Sequence, residues 1–521
     1  MIEADHRAAR MRVITHGQLD VAYSPPSGSS SFLDVFRDAK SWSFVVPAPL
    51  EEQLHAHLFP GDGDEHGAIV LSGIAQSPAG PRLLARDVVL AADGVDYVAG
   101  QRGYRMLTAQ FVSRVARRCR DERLVYLAVH NHGGRDRVGF SGDDYASHQR
   151  GYPALLDVVD GLPVGGLVFA ENAVAGSLWT SPHRQLPLSE ARVLGVQIRL
   201  LTPEPSADPP GRAPAYDRQA RLFGDRGQDL LHRTIVGIIG VGGIGSLVVE
   251  LLARLGVGRF ILVDPDVISE SNVPRITGST LRDAAVWFTR AGRPSWMRRI
   301  GERLATSKVA HARRLIRRAN PHATVETIRG DVTDESVARR LAGCDYLFLA
   351  ADSMQARLVF NAVVHAYLIP GVQVGVKVPV EPASGDIGDV FSATRMVTPS
   401  SGCLWCNGLI TPAGLQREAE TAAERRAQRY VDEEEVVAPS VITLNAITAA
   451  QAANDFLFMF TGLTNPDAHG GYVMAWPRKR TVSRISPRRD LQCPHCGTEP
   501  TSILARGGVA DLHTRAVPNT G

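Results

Sequence analysis

Short apolar runs alternate with longer amphipathic segments along most of the chain, and the pattern changes near position 215. Before that position, β-prone runs at 68–74, 124–130 and 165–169 are mixed with helix-like segments at 107–120 and 145–159. After it, short apolar strands are separated by helical segments, and these strands lie at 234–240, 260–263, 324–328 and 346–350. The pattern predicts a mixed α+β domain followed by an α/β domain with a parallel, doubly wound sheet.

A proline-rich stretch separates the two patterns. Residues 201–215 contain five prolines and no regular apolar period, which predicts an extended linker. A chain of 521 residues is also too long for a single core. The predicted organisation is an N-terminal extension at 1–45, a first domain at 46–200, the linker at 201–215, a second domain at 216–497 and a flexible tail at 498–521.

Charge and composition narrow the classes of partner. The net charge is +3, so nothing in it favours nucleic acid or an anionic membrane as a partner. The N-terminus is charged and no uninterrupted apolar stretch approaches about 20 residues, so we expect a cytoplasmic protein. Four of the six cysteines form two Cys-x-x-Cys pairs, which in a reducing compartment indicates metal binding rather than disulfides.

Two histidines lie at the end of one apolar run of the first domain. His130 and His132 are two positions apart on a predicted strand, so their side chains project from the same face and can bind one ion. Asp144 lies in the polar turn that follows and can supply a third ligand, while water keeps the fourth position. The arrangement predicts a catalytic zinc site and therefore a hydrolase.

Together with Ser141, these residues form the pattern His-x-His followed by Ser-x-x-Asp, which resembles the JAMM (JAB/MPN) metalloprotease family. The resemblance implies an α+β JAMM fold in which Glu65, at the start of the first core strand, accepts a proton from zinc-bound water, and Ser141 helps to stabilise the oxyanion. Two features depart from the family pattern: Gly133 replaces the usual proline, and eight residues rather than seven separate His132 from Ser141. The alternative is a pair of core histidines beside an unrelated helix cap at Ser141.

A glycine-rich turn opens the second domain. The segment 234–245 runs from a buried strand into a helix through Gly240, Gly242, Gly243 and Gly245, so backbone amides can approach phosphates at a helix N-terminus. Asp264 ends the next strand, where a ribose-binding carboxylate is expected. These features alone would favour an NAD-dependent dehydrogenase.

The residues that follow instead resemble the ThiF/MoeB adenylyltransferases, which share their fold with ubiquitin-activating enzymes; the likeness covers 216–497. The resemblance implies a Rossmann-like domain that binds ATP and Mg²⁺ and forms a homodimer. In its reaction a carboxylate attacks the α-phosphate of ATP, and this nucleophile needs no general base. The implied nucleotide residues are Asp264, Asp266, Asn272, Arg275 and Lys308, with Asp352 as the magnesium ligand and Arg218 reaching into the partner subunit's ATP site.

The two Cys-x-x-Cys pairs lie within the second domain. Cys403 and Cys406 form the first pair, and Cys493 and Cys496 form the second. Four thiolates from two distant pairs would complete a tetrahedral, structural zinc site. The second pair also lies near the end of the chain, as the resemblance leads one to expect.

The acyl-accepting cysteine of ubiquitin-type activating enzymes is missing. Residues 407–439 contain no cysteine, and Cys119 and Cys344 lie in segments that predict ordinary core. We therefore predict adenylation without an obligatory enzyme thioester, with transfer to a separate sulfur donor, to a conjugating protein, or to a hydroxyl such as that of Thr411, Thr421 or Ser440. A helical insertion at 281–304 carries two tryptophans, for which packing and docking remain open.

The fusion itself predicts a shared substrate. One domain activates a C-terminal carboxylate and the other hydrolyses an amide formed there, so both would recognise a ubiquitin-like β-grasp protein. The first hypothesis is a bifunctional enzyme of a bacterial, possibly antiviral, conjugation pathway. The alternatives are processing and activation of a sulfur carrier for cofactor or amino-acid biosynthesis, and a non-catalytic ATP-sensing scaffold.

Overall fold

Two eight-stranded sheets, each with helices packed on it, organise the residues that the computed structural model describes, namely 32–98, 105–205, 214–381, 384–420, 439–465 and 471–515. We refer to 32–205 as the first half and to 214–515 as the second half. Both belong to one compact unit, Phe32–Gly521. The predicted linker lies largely at 206–213, outside the described residues.

The sheet of the first half has the strand order β1-β3-β2-β4-β5-β6-β7-β8, and β1 also pairs with β7, so the sheet curls back on itself. Its strands are β1 Trp42–Pro47, β2 Gly67–Ser77, β3 Gly80–Leu90, β4 Val125–Asn131, β5 Val164–Phe169, β6 Val174–Ser181, β7 Arg184–Leu194 and β8 Ile198–Leu201. The helices are α1 Ala48–Leu58, α2 Ala109–Glu122 and α3 Gly142–Val158.

The first half begins earlier than the predicted boundary at residue 46. Strand β1 starts at Trp42, whose indole is buried, and Phe36 in the preceding short 3₁₀ helix joins the same core. The predicted extension at 1–45 is therefore wrong for residues 42–45, which belong to β1. The reason is that β1 pairs with β3 and β7, which come later in the chain. Residues 1–31 lie outside the described residues.

The sheet of the second half has the order β11-β10-β9-β12-β13-β14-β15-β16. Its strands are β9 Ile235–Ile239, β10 Arg259–Val263, β11 Thr324–Ile328, β12 Tyr346–Leu349, β13 Gly371–Lys377, β14 Phe391–Val397, β15 Tyr472–Trp476 and β16 Thr481–Ile485. The first five are parallel, as the alternation of strands and helices predicts, and the last three extend the sheet in antiparallel pairs.

Helices of the second half cover this sheet and carry the insertion. They are α4 Asp217–Arg233, α5 Gly243–Leu255, α6 Val286–Thr289, α7 Ser295–Leu304, α8 Lys308–Ala319, α9 Glu335–Arg340, α10 Met354–Ala366, α11 Pro412–Ala419 and α12 Ile442–Thr461. The insertion forms α6 and α7, and its Trp287 and Trp296 are exposed rather than packed. Within the described ranges, no helix combines the length and the apolar character needed to cross a bilayer.

A buried charge network joins the two halves. Asp345, at the start of β12, accepts a hydrogen bond from Arg82 of β3 at 2.9 Å and pairs with Arg192 of β7. Its second oxygen accepts from the Ile235 amide at 2.9 Å. Burial raises the pKa of Asp345, but the charges of Arg192 and Arg82 outweigh it and lower the pKa below the usual range. The carboxylate therefore stays ionised inside the junction.

The C-terminal segment packs between the halves instead of forming the predicted flexible tail. Within 498–515, Ala505 is buried, and the Gly508 amide donates to the Ile74 carbonyl of β2 at 2.8 Å. Gly73 leaves room for this path, because a Cβ there would stand 1.9 Å from the Ala505 carbonyl oxygen. The prediction was wrong because the partners of this segment are main-chain groups remote in sequence. The last six residues lie outside the described part of the chain.

Candidate functional site

Strand β4 and helix α3 bring three predicted ligands together. The His130 and His132 Nε2 atoms are 3.2 Å apart, and Asp144 places Oδ1 3.2 Å from His130 Nε2 and Oδ2 3.3 Å from His132 Nε2. A tetrahedral ion with ligand bonds of about 2.0–2.1 Å needs ligand atoms about 3.3 Å apart. The donor set and its spacing fit a zinc ion with one position left open.

Contacts around the cluster orient its ligands. His132 Nδ1 lies 3.1 Å from the Gly139 carbonyl, which only accepts, so Nδ1 carries the proton and Nε2 is free for a metal. Asp144 Oδ2 accepts from the Ser141 amide at 2.7 Å and from its hydroxyl at 2.8 Å. Burial raises the pKa of Asp144, but the hydrogen bond from His130 and those from Ser141 lower it more. Asp144 is therefore an ionised ligand.

Ser141 is the N-cap of α3, and its hydroxyl also accepts from the Asp144 amide at 3.1 Å. The Ser141 and Asp144 side chains each accept from the other residue's amide and so form a capping box. This explains why α3 begins at Gly142 rather than at the predicted residue 145. Ser141 is thus a helix cap, as the alternative states. The cap nevertheless belongs to the cluster, because it holds Asp144, one of the three predicted ligands. The oxyanion role of Ser141 stays a prediction.

Glu65 lies beside the cluster but outside the strand on which it was predicted. Strand β2 begins at Gly67, so Glu65 belongs to the preceding loop. Its Oε1 is 3.7 Å from His132 Nε2. Burial raises the pKa of Glu65, while the charges of His130 and His132 oppose the shift. The role of Glu65 as general base stays a prediction.

The four paired cysteines form a second, closed cluster. Cys403 Sγ is 3.7 Å from Cys493 Sγ, and Cys406 Sγ is 3.6 Å from Cys496 Sγ. All four sulfur atoms lie within 4.8 Å of one another and are buried, and none forms a disulfide. A Zn–S bond of about 2.3 Å gives tetrahedral edges of about 3.8 Å, which these distances match. The thiols therefore fit a structural zinc ion.

The glycine-rich turn joins β9 to α5. Gly242 is the N-cap of α5, and Gly243 and Gly245 lie in its first turn, so their amides face the carboxyl edge of the sheet. Gly240 has φ +86°, and a Cβ there would stand 2.9 Å from the Ala351 nitrogen in the loop after β12. Only glycine allows the two loops to approach this closely.

Acidic residues and a lysine follow β10 at the same edge. Asp264 Oδ2 accepts from the Val241 amide at 2.9 Å and so fixes the glycine-rich turn. Lys308 Nζ is 2.6 Å from Asp266 Oδ2 and 3.7 Å from Asp264 Oδ1. Burial raises the pKa of Asp264, with Lys308 opposing. Asp264 therefore lies between the glycine-rich turn and the lysine. A phosphate-binding role for Lys308 stays a prediction.

Arg275 also reaches the glycine-rich turn. A Cβ at Gly243 would stand 3.4 Å from the Arg275 side chain and 2.6 Å from Asn445 Nδ2. Asn445 is buried in α12 and was not predicted as a site residue, because its helix follows the turn by some two hundred residues and carries no motif. Asn272 Oδ1 instead accepts from the Ser269 amide at 3.2 Å and shapes the loop before Arg275.

Asp352 lies in the loop after β12, on the same edge as Lys308. Strands β10, β9 and β12 are adjacent and parallel, so the loops that follow them meet at one edge. Asp352 is exposed, two residues beyond Ala350, whose carbonyl carbon is 2.9 Å from the Cβ position of Gly240. An exposed carboxylate next to the phosphate turn is suited to a magnesium ion.

Arg218 lies away from this edge. Its neighbour Gln219 donates to the Leu255 carbonyl, at the C-terminal end of α5, at 2.9 Å. The glycine-rich turn is at the other end of that helix, about 20 Å away at 1.5 Å per residue. The structure therefore does not bring Arg218 to the nucleotide residues of its own chain. Contact with a second subunit's site stays a prediction.

Two further cysteines are unsuited to accept an acyl group. Cys119 and Cys344 are both buried. Burial raises the pKa of Cys119 to about 12 and raises that of Cys344 further. A thiol must ionise and meet the adenylate to react, and neither condition is met here. The predicted crossover segment lies largely at 421–438, outside the described residues.

Comparison with known proteins assigns the second half. The family model described as the ThiF family matches residues 216–495, more than half of the 521 residues. The chain belongs to the ThiF family. The ThiF-family match includes the glycine-rich turn, Lys308, Asp352 and three of the four clustered cysteines, and it ends one residue before Cys496. It decides against the dehydrogenase alternative. The match begins at residue 216 and carries no information about the first half.

Three proteins similar to this chain are named for their activities. Molybdopterin-synthase adenylyltransferase of Salmonella typhimurium is 31% identical over 157 residues, which cover 30% of this chain and 55% of that protein. Sulfur carrier protein ThiS adenylyltransferase of Bacillus subtilis is 25% identical over 293 residues, covering 56% and 73%. SAMP-activating enzyme E1 of Haloferax volcanii is 29% identical over 147 residues, covering 28% and 47%. The chain thus spans about half the length of the first and third relatives.

Proposed function

We propose that the second half adenylates the C-terminal carboxylate of a ubiquitin-like protein, using ATP and Mg²⁺. The observation that carries this proposal is the ThiF-family match together with the meeting of Gly240, Lys308 and Asp352 at one sheet edge. A carboxylate is already ionised at pH 7, so the site needs to position it and to neutralise charge on the triphosphate. Bound Mg²⁺ would supply part of that neutralisation, with Asp352 as its ligand.

Pyrophosphate exchange tests this activity. We expect ATP–pyrophosphate exchange with a small β-grasp protein that ends in a free glycine carboxylate, drawn from a panel of such proteins, and a fall on the order of 10²-fold for Lys308→Ala. The matched control is Lys479→Ala, because Lys479 forms a similar pair with Asp389 at 2.7 Å outside the site. Exchange with none of these proteins, or equal exchange by the two variants, would contradict the proposal.

For the first half we propose zinc-dependent hydrolysis of an amide bond at the C-terminus of the same protein. The support is the geometry of His130, His132 and Asp144 with Glu65 beside them. A bound zinc ion would lower the pKa of a water molecule and polarise the scissile carbonyl. Glu65 would accept the proton from that water, and Ser141 would donate to the oxyanion.

Cleavage of an extended carrier tests the hydrolase. The carrier is supplied with extra residues after its terminal glycine, and we expect Glu65→Gln to reduce cleavage by about 10²–10⁴-fold while zinc content stays constant. Glu52→Gln, an exposed carboxylate of α1, is the control and should cleave normally. Unchanged cleavage by Glu65→Gln would remove the assigned base.

The comparisons favour sulfur carriage over protein conjugation as the pathway. Two of the relatives carry names that refer to molybdopterin synthase and to a sulfur carrier protein. The burial of Cys119 and Cys344 agrees with this, because a sulfur carrier receives its sulfur from a separate donor and needs no enzyme thioester in this chain. A non-catalytic scaffold would require that neither exchange nor cleavage be detected, which the two experiments above decide.

A further inference from the structure

The segment that carries Glu65 lies just beyond the end of a β-ladder. Strand β2 pairs with β4 from Gly67, whose partner is His130, to Ser72. The next rung would join His66 to Asn131, but the β2–β4 ladder stops at the Gly67–His130 pair. On the other edge of β4, the Asn131 main chain still pairs with Phe169 of β5. Glu65 therefore lies two residues before Gly67, the first residue of β2 that pairs with β4.

The Asn131 side chain takes the place of that rung. Its Oδ1 accepts from the His66 amide at 2.6 Å, and its Nδ2 donates to the Asp64 carbonyl at 3.4 Å. The side chain is buried, so water does not compete freely for these bonds. The two contacts lie on either side of Glu65 in the sequence, and together they fix the main chain from which its carboxylate projects.

We propose that Asn131 is a positioning residue for Glu65. The inference rests on the proposed hydrolase. Asn131 is the last residue of β4 and stands between His130, on the strand, and His132, which follows it directly, so the stretch of main chain that carries both histidines also sets the position of the base. The distance between Glu65 and the open metal position is then determined within one strand rather than by a loop alone. A carboxamide suits this role because it offers an acceptor and a donor at once.

Neighbouring contacts brace the same segment without replacing Asn131. The Gly67 amide donates to the Tyr97 hydroxyl at 2.8 Å, and the Gly67 carbonyl is 3.0 Å from His57 Nε2. The His66 ring lies 3.0 Å from Asp62 Oδ2. These bonds hold the start of β2 and the His66 side chain, whereas the main-chain groups on both sides of Glu65 are held by the carboxamide.

Two substitutions separate positioning from simple stability. Asn131→Leu removes both bonds, and Asn131→Asp keeps the acceptor for the His66 amide. We expect kcat for cleavage of the extended carrier to fall about 10²-fold in Asn131→Leu and about 10-fold in Asn131→Asp, with KM and zinc content within twofold of wild type. Asn320→Leu is the control, because Asn320 is equally buried in the second half and bonds to the Val257 carbonyl. It should lower Tm without lowering kcat.

Hydrogen exchange gives a readout that does not depend on activity. Mass spectrometry of the peptide spanning 62–68 should show at least tenfold faster exchange in Asn131→Leu and near wild-type exchange in Asn131→Asp. Unchanged exchange in Asn131→Leu, or a loss of kcat that equals the loss of zinc, would overturn the inference. If the wild-type chain cleaves no extended carrier, the proposed hydrolase fails, and exchange at this peptide alone decides whether Asn131 holds the segment.

Discussion

The cysteine cluster and the histidine–aspartate cluster come from equally short motifs, but their surroundings differ. The four thiols are nearly inaccessible, at 0–7% exposure. The His130 and His132 side chains keep about a fifth of their surface exposed, at 21% and 20%, and Glu65 faces the same space. A closed set of four ligands serves the fold, whereas an open set of three leaves a position for water and substrate.

The two clusters also differ in what holds their ligands. Cys403 and Cys493 are ninety positions apart, and the metal they fit would join the end of the chain to the loop after β14. His130 lies on β4 and His132 follows the end of that strand directly, and Asp144 is fixed by the cap of α3. Loss of a ligand should therefore disturb the fold at the first cluster and only the site at the second.

Removing one ligand from each cluster gives the largest expected difference. Cys496→Ser should destabilise the second half by several kcal/mol, because structural zinc contributes about 10–16 kcal/mol in small zinc domains. His132→Ala should abolish cleavage and release one zinc equivalent with little change in unfolding. Thermal unfolding and metal analysis of both variants measure this. A larger drop in Tm for His132→Ala than for Cys496→Ser would invert the comparison.

The junction offers the next test, because both clusters belong to one compact unit. Asp345→Asn leaves the Arg82 and Arg192 guanidinium groups without a compensating charge, and we expect a loss of about 3–5 kcal/mol in the free energy of unfolding. Asp229→Asn removes an exposed pair with Arg233 and should cost less than about 0.5 kcal/mol. Urea midpoints compare the two. Equal midpoints would mean that the network contributes nothing to joining the halves.

Local pattern was sufficient where ligands are close in sequence or lie on regular elements. The period of two along a strand predicts that His130 and His132 share a face, and the topology of a parallel sheet predicts that Lys308 and Asp352 lie at its carboxyl edge. The parallel strands β9 to β12 lie where the apolar runs predict them. These features depend on short-range rules that a single sequence contains.

Pattern failed where the deciding partner is distant. The C-terminal glycines have a flexible composition, but the Ile74 carbonyl of β2 receives the Gly508 amide. Asn445 lies beside the glycine-rich turn because α12 packs on α5, and no sequence motif marks this residue. Glu65 was expected on a strand, yet β2 begins only at Gly67. Before that residue, the Asn131 side chain, and not a strand, binds the His66 amide. Such long-range contacts leave no periodic signal.

A smaller loss of stability than at the junction is expected at Ser141, which caps α3 and is also predicted to stabilise the oxyanion. Ser141→Ala should cost about 1 kcal/mol in stability, as should Thr108→Ala, which removes the N-cap of α2 in the same half. Ser141→Ala also removes the hydroxyl contacts to Asp144, so zinc content separates a disturbed ligand from a lost oxyanion donor. If Ser141 donates to the oxyanion, kcat for cleavage falls about 10²-fold in Ser141→Ala alone, at unchanged zinc content. If both variants keep wild-type kcat, the hydroxyl is a cap that holds Asp144, and the open cluster stabilises the oxyanion with other groups.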